Sequence, residues 1–193
     1  MTPYYNKPTQ EGLFLHYKAV AETVDIPQIL YNVPGRTACD LLPETIGRLS
    51  NIANIIGVKE ATGDLSRIEP IRQLCHEGFE LYSGDDSTCT DFILQGGDGT
   101  ISVTANVAPK QMHEMCMAAA AGDTEKAHGL NELLKPLHRD LFLEANPIPV
   151  KWALLEMGRI KQGIRLPLTA LSETYRPALR DALIAAGLIE ETV

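Results

Sequence analysis

Lys59 closes the apolar run Ile55-Ile56-Gly57-Val58. Alternation along a strand puts Ile55, Gly57 and Lys59 on one face and Ile56 and Val58 on the other. With Ile56 and Val58 against helices, Lys59 points inward near the C-terminal end of its strand, and Gly57 leaves room beside its stem. Burial disfavours an ammonium, so such a lysine has a lowered pKa. A neutral amine attacks carbonyl carbons and forms Schiff bases. The competing reading is a strand-end lysine whose head reaches solvent or meets a carboxylate. Glu60 follows at once but faces the opposite way.

The run Ile29-Leu30-Tyr31-Asn32-Val33 puts Tyr31 on the same inward face as Ile29 and Val33. A phenol beside an amine can carry protons to and from the carbinolamine and enamine of Schiff-base chemistry. It could equally be a core tyrosine whose hydroxyl meets backbone. Arg36, in the predicted loop Pro34-Gly35-Arg36-Thr37, can clamp a substrate carboxylate through two donors, or stand as a solvated charge.

These residues sit in an alternating pattern. Short apolar strands are predicted near 27–33, 54–59, 79–83 and 99–104, with helices over 10–24, 42–50, 65–77 and 86–94 between them. Pro70 is a possible kink. Beyond Val107 only helices are predicted, over about 107–121, 123–144, 147–158 and 174–187. Strands apolar at nearly every position, each followed by a helix, indicate parallel βα units covered on both faces. The expected architecture is α/β: the C-terminal part of a (β/α)8 barrel over 1–121, then a helical extension over 122–193. Thr2-Pro3-Tyr4-Tyr5 reads like the end of a strand whose beginning is absent. No GxGxxG or Walker sequence follows any strand.

Composition narrows the function. Acidic residues outnumber basic ones, 25 to 17, for a net charge of −8, which disfavours nucleic acid and anionic lipid. Apolar residues make up 45%, enough for a sizeable core, yet no run approaches the ~20 residues of a membrane helix. No secretory signal is evident at the N-terminus, and Cys39, Cys75, Cys89 and Cys116 form no CxxC pair. The expectation is a cytoplasmic protein with reduced thiols and no metal.

Tyr31-Asn32-Val33-Pro34-Gly35-Arg36-Thr37 followed by Ile56-Gly57-Val58-Lys59-Glu60-Ala61-Thr62 resembles the dihydrodipicolinate synthase branch of the pyruvate-dependent class I aldolases. The likeness continues through Thr2-Pro3-Tyr4-Tyr5-Asn6, Ser83-Gly84-Asp85-Asp86, Gly99-Thr100-Ile101-Ser102-Val103-Thr104-Ala105-Asn106 and Asn146-Pro147-Ile148-Pro149-Val150-Lys151-Trp152. It implies condensation of pyruvate with aspartate-4-semialdehyde, the first committed step of the diaminopimelate route to lysine. No organic cofactor is needed, because the lysine imine supplies the electron sink. Lys59 matches the Schiff-base lysine, Tyr31 the proton-relaying tyrosine, and Arg36 the arginine that receives the semialdehyde carboxylate. Gly84 and Ile101 match residues lining the pyruvate pocket. Tyr5 matches the tyrosine that completes a neighbour's relay across a dimer interface, and Tyr4 a residue of the lysine feedback site.

The sequence also departs from the pattern. Nothing here matches the family's adjacent threonine pair, which bridges the two tyrosines and helps to bind the pyruvate carboxylate. The first three βα units are missing, and an open barrel exposes strand edges and an apolar inner face. A homo-oligomer covering those edges is expected. Three functions remain open: an impaired synthase, an inactive remnant with a structural or assembly role, and an N-acetylneuraminate lyase-like keto-acid aldolase. Arg36 and the Tyr31-Asn32-Val33-Pro34 context favour the synthase.

Overall fold

Thr9 starts the first helix: its hydroxyl accepts from the Gly12 N–H, a group with no partner inside the helix. The helix, α1 (Gln10–Thr23), buries Leu13, Tyr17 and Ala21, which recur every fourth residue on one face. Strand β1 (Gln28–Asn32) follows, then a single helical turn α2 (Pro34–Thr37), α3 (Pro43–Ser50) and β2 (Ile55–Glu60). A 3-10 turn at Leu65–Arg67 leads into α4 (Ile68–Leu74), then β3 (Glu80–Ser83), α5 (Cys89–Leu94) and β4 (Gly99–Thr100). The four strands are parallel in the order β1-β2-β3-β4, as helical crossovers require. This computed structural model describes residues 1–191.

One side of the sheet carries the core. Leu30, Val58 and Leu81 stand in register across three strands. They pack in one buried cluster with Leu13 and Tyr17 of α1, Ile46 and Leu49 of α3, Ile68 and Ile71 of α4, and Phe92 of α5. The other side carries Tyr31, Lys59 and Tyr82, also in register, and is open enough that Ile29 and Ile101 are exposed.

The strands match the predicted positions, but the fourth is shorter than 99–104. It ends at Thr100, and Thr104–Asn106 forms a 3-10 turn. The Ser102 hydroxyl accepts from Ala105 N and the Asn106 amide donates to Val103 O, local bonds that compete with a strand ladder. The predicted helix over 65–77 is a 3-10 turn plus α4, with Pro70 in the first turn of α4, where it forces no kink. The predicted helix over 86–94 starts only at Cys89, because the Asp85 carboxylate ties down Thr88 through its N–H and hydroxyl. Pro34-Gly35-Arg36-Thr37 is the helical turn α2 rather than a loop: Pro34 sits at a first-turn position, and Val33 O accepts from Arg36 N and Thr37 N. Ile55, expected on the Lys59 face, joins the helix-covered core instead, where the β1–β2 register shifts between Gln28 and Ile29.

The chain divides into two units, the first spanning Met1–Ile101 and the second beginning at Ser102. The second unit contains α6 (Pro109–Ala120), α7 (Thr124–Asp140), α8 (Ile148–Glu156) and α9 (Arg176–Ala185), each shorter than its predicted span. Helix α6 packs along α7, which draws it into this unit. His138 is buried and packed, its ring nitrogens meeting Thr104 Oγ1 at 2.8 Å and Asn131 Oδ1 at 3.2 Å.

Candidate active site

Lys59 is the fifth residue of β2 and lies opposite Tyr31 of β1 and Tyr82 of β3. Its Nζ stands 4.4 Å from the centroid of the Tyr31 ring. Burial lowers the Lys59 pKa from the ordinary lysine value. The Asp86 carboxylate pulls it back up, and the Arg36 guanidinium pushes it down again. The balance favours a neutral amine more than an exposed lysine would, which is what a nucleophile for carbonyls needs.

Two glycines shape the space. A Cβ on Gly84 would lie 2.8 Å from Lys59 Cε, 3.1 Å from Lys59 Cγ and 2.6 Å from Ala61 Cβ. The bare backbone of Gly84 is therefore the surface over which the Lys59 stem lies. Gly57 has a different task from the one expected: its missing Cβ would meet Glu80 O at 2.6 Å and Glu80 Cβ at 2.9 Å. It admits the neighbouring strand rather than the lysine stem.

The remaining predicted residues are placed as follows. Arg36 is exposed on α2 and close enough to act on the charge of Lys59. Ile101 is exposed just beyond β4, its N–H donating to Ser83 O. Tyr4 is 68% exposed and Tyr5 86% exposed, with Tyr5 at a φ of 69°. Both side chains stand largely in solvent. Just before them, Thr2 is buried, and its N–H donates to Tyr31 O at 3.0 Å along the edge of β1.

Several residues at the site were not singled out from sequence. Asp86 is buried and acts electrostatically on Lys59, a role that the Ser83-Gly84-Asp85-Asp86 motif could have suggested. Tyr82 flanks Lys59 on the side away from Tyr31, donates its hydroxyl to Glu80 at 3.0 Å, and has its pKa raised by burial and by that bond. Behind the strands, Asn32, Asp40, Glu60 and Arg67 form a polar cluster in which Asn32 and Glu60 are buried. Among the described residues no group of three or more His, Cys, Asp or Glu could hold a metal ion, and no helix is long and apolar enough to cross a membrane.

Parallel βα units with a half-buried lysine at the C-terminal end of a strand define the class: a barrel-type α/β protein. More narrowly, the chain belongs to the dihydrodipicolinate synthetase family, whose model matches residues 1–186. It is 65% identical over 190 residues to the 4-hydroxy-tetrahydrodipicolinate synthase of Alcanivorax borkumensis, covering 98% of this chain and 65% of that one. The enzyme of the same name from Methylococcus capsulatus is 65% identical over 189 residues, with the same coverage. The crystal structure of the dihydrodipicolinate synthase of Acinetobacter baumannii, complexed with pyruvate, superposes with a TM-score of 0.95 at 57% identity. It covers 97% of this chain and 65% of its own. The chain thus spans 65% of the length of these relatives. Its sheet and helices correspond to part of a (β/α)8 barrel followed by C-terminal helices.

Proposed function

We propose that Lys59 forms a Schiff base with pyruvate and that the chain carries the chemistry of 4-hydroxy-tetrahydrodipicolinate synthase, condensing pyruvate with aspartate-4-semialdehyde. The observation that carries this reading is the Lys59 amine, half-buried, with its pKa lowered by burial, and 4.4 Å from the Tyr31 ring. In the first step the Nζ lone pair attacks C2 of pyruvate, and the carbonyl electrons go to oxygen, which takes a proton. The carbinolamine then loses water to give the imine. Loss of a methyl proton gives the enamine, whose carbon attacks the aldehyde of the second substrate. Tyr31 carries protons in these steps. Arg36 receives the semialdehyde carboxylate, with Gly84 and Ile101 lining the pyruvate site. Chain and reaction need no metal or organic cofactor, and the setting is cytoplasmic.

Turnover is proposed to be low. No segment of this chain matches the threonine pair of the family relay, and Tyr5, its second tyrosine, stands in solvent. General acid–base groups contribute about 10²–10⁴-fold, so an incomplete relay leaves imine formation ahead of condensation. The open sheet face, with Ile29 and Ile101 exposed, supports association with a second copy and favours, as the alternative reading, an inactive chain with a role in assembly. Tyr5 completes a partner's site only in such an oligomer, and Tyr4 is proposed for a lysine feedback site.

Borohydride reduction in the presence of pyruvate tests the reading. A stable adduct on Lys59, absent from a K59R variant, is the expected result. Soluble, folded chain that gives no adduct on Lys59 overturns it in favour of the inactive alternative.

A further inference from the structure

We propose that Arg67 is a positioning residue for the Lys59–Tyr31 pair, acting through Glu60 and Asn32 on the reverse side of the sheet. The inference rests on the reading of Lys59 as the Schiff-base amine.

Alternation sends Glu60 to the face opposite Lys59, where a strand packed under helices calls for an apolar side chain. Glu60 is instead a carboxylate only 3% exposed. A buried carboxylate is costly unless it is paired and hydrogen-bonded. Arg67, on the 3-10 turn after β2, supplies two donors: Nε and Nη2 each lie 3.2 Å from Glu60 Oε2. Its Nη1 reaches Asp40 Oδ2 at 3.2 Å, and Nη2 also donates to Leu41 O at 2.8 Å. One planar guanidinium thus holds the end of β2 and the segment after α2.

Asn32 closes the cluster from β1. Its fully buried amide nitrogen lies 2.8 Å from Asp40 Oδ1, 3.3 Å from Glu60 Oε1 and 3.2 Å from Glu60 Oε2. Its Oδ1 accepts from Leu41 N at 3.0 Å, and Glu60 Oε1 accepts from Thr62 N at 2.9 Å. Asn32 and Glu60 are register partners, one step beyond the Tyr31–Lys59 pair. The backbone bond from Ala61 N to Asn32 O continues the same ladder.

An apolar pair at 32 and 60 would hold two strands together at least as well, because buried ion pairs rarely surpass well-packed hydrophobes in stability. What the charged cluster adds is direction. Each of its bonds fixes the rotation of the strand ends, and therefore the angle at which Lys59 and Tyr31 emerge on the other face. If Arg67 is lost, Glu60 must turn toward water, the strand ends part, and water reaches the amine. The charged and titratable groups that face Lys59 are Tyr31 from β1, Tyr82 from β3, Arg36 from α2 and Asp86 from the segment after β3.

The test is the pH profile of borohydride trapping by pyruvate, read by mass on the soluble chain for wild type, R67M and R67K, with folding checked by circular dichroism. R67M is expected to shift the profile to higher pH by about one unit, with roughly tenfold less adduct at neutral pH. R67K keeps a charge but not the fork, and is expected between the two. If R67M does not fold, R67K decides. A variant profile that superposes on the wild type, even with lowered thermal stability, overturns the proposal and leaves the Lys59 reading standing. Wild type that traps nothing overturns both.

Discussion

Gly84 and Lys59 are in direct apposition: a methyl on Gly84 would stand 2.8 Å from Lys59 Cε, a distance that neither group could keep. The lysine stem is thus held by the absence of a side chain, on one flank, and by the Tyr31 ring, on the other.

G84A is therefore expected to displace the amine while leaving the chain folded. Overpacking of this kind costs about 1–3 kcal/mol, part of it relieved by the flexible lysine. Displacing a reacting group by an ångström costs on the order of 10²-fold in rate. Trapping rate and urea denaturation, measured side by side, check both halves of this expectation.

Y31F separates the two uses of the tyrosine. The ring that shields Lys59 remains, so the adduct with pyruvate should still form at long times, though more slowly. The hydroxyl goes, and exchange of the pyruvate methyl protons with deuterated solvent, which requires the enamine, should slow by about 10²–10⁴-fold. NMR of pyruvate in D₂O measures it. Equal exchange in the two proteins would remove Tyr31 from the relay.

The lowered pKa of Lys59 makes a stability prediction with a definite sign. Burial lowers the folded-state value below that of the unfolded chain, so the unfolded state holds more protons between the two. Stability then rises with pH across that interval, and the burden of the lysine is fully present below it. K59M should melt above wild type at neutral pH, and the gap should narrow as pH rises toward the usual lysine range. Melting curves of the two proteins from neutral to alkaline pH check this. A gap that widens with pH would contradict a desolvated lysine.

G57A strikes the sheet rather than the surroundings of the amine. Its Cβ would lie 2.6 Å from the carbonyl oxygen of Glu80, a backbone atom that cannot step aside without opening the β2–β3 ladder. The expected loss is at or above the upper end of about 1–3 kcal/mol. Trapping should fall with it, because Lys59 lies two residues farther along the same strand. Denaturation midpoints and adduct yield report the two effects.

By itself the sequence determined the parallel βα order, the positions of the four strands and the pairing of Lys59 with Tyr31 on one face. Apolar runs bounded by helices and a strict alternation of side chains leave few other solutions, and the motifs around Lys59 carried the family likeness. Tertiary structure decided what alternation cannot express. Ile55 crosses to the core because the register slips at Gln28, and residues 102–106 leave the ladder because their own side chains bond the backbone first. The cluster of Asn32, Asp40, Glu60 and Arg67 joins residues from four separate segments, and the effect of Asp86 on Lys59 acts through space. Such groupings arise only when strands are laid side by side, since distance in space, and not separation along the chain, sets the strength of a charge interaction.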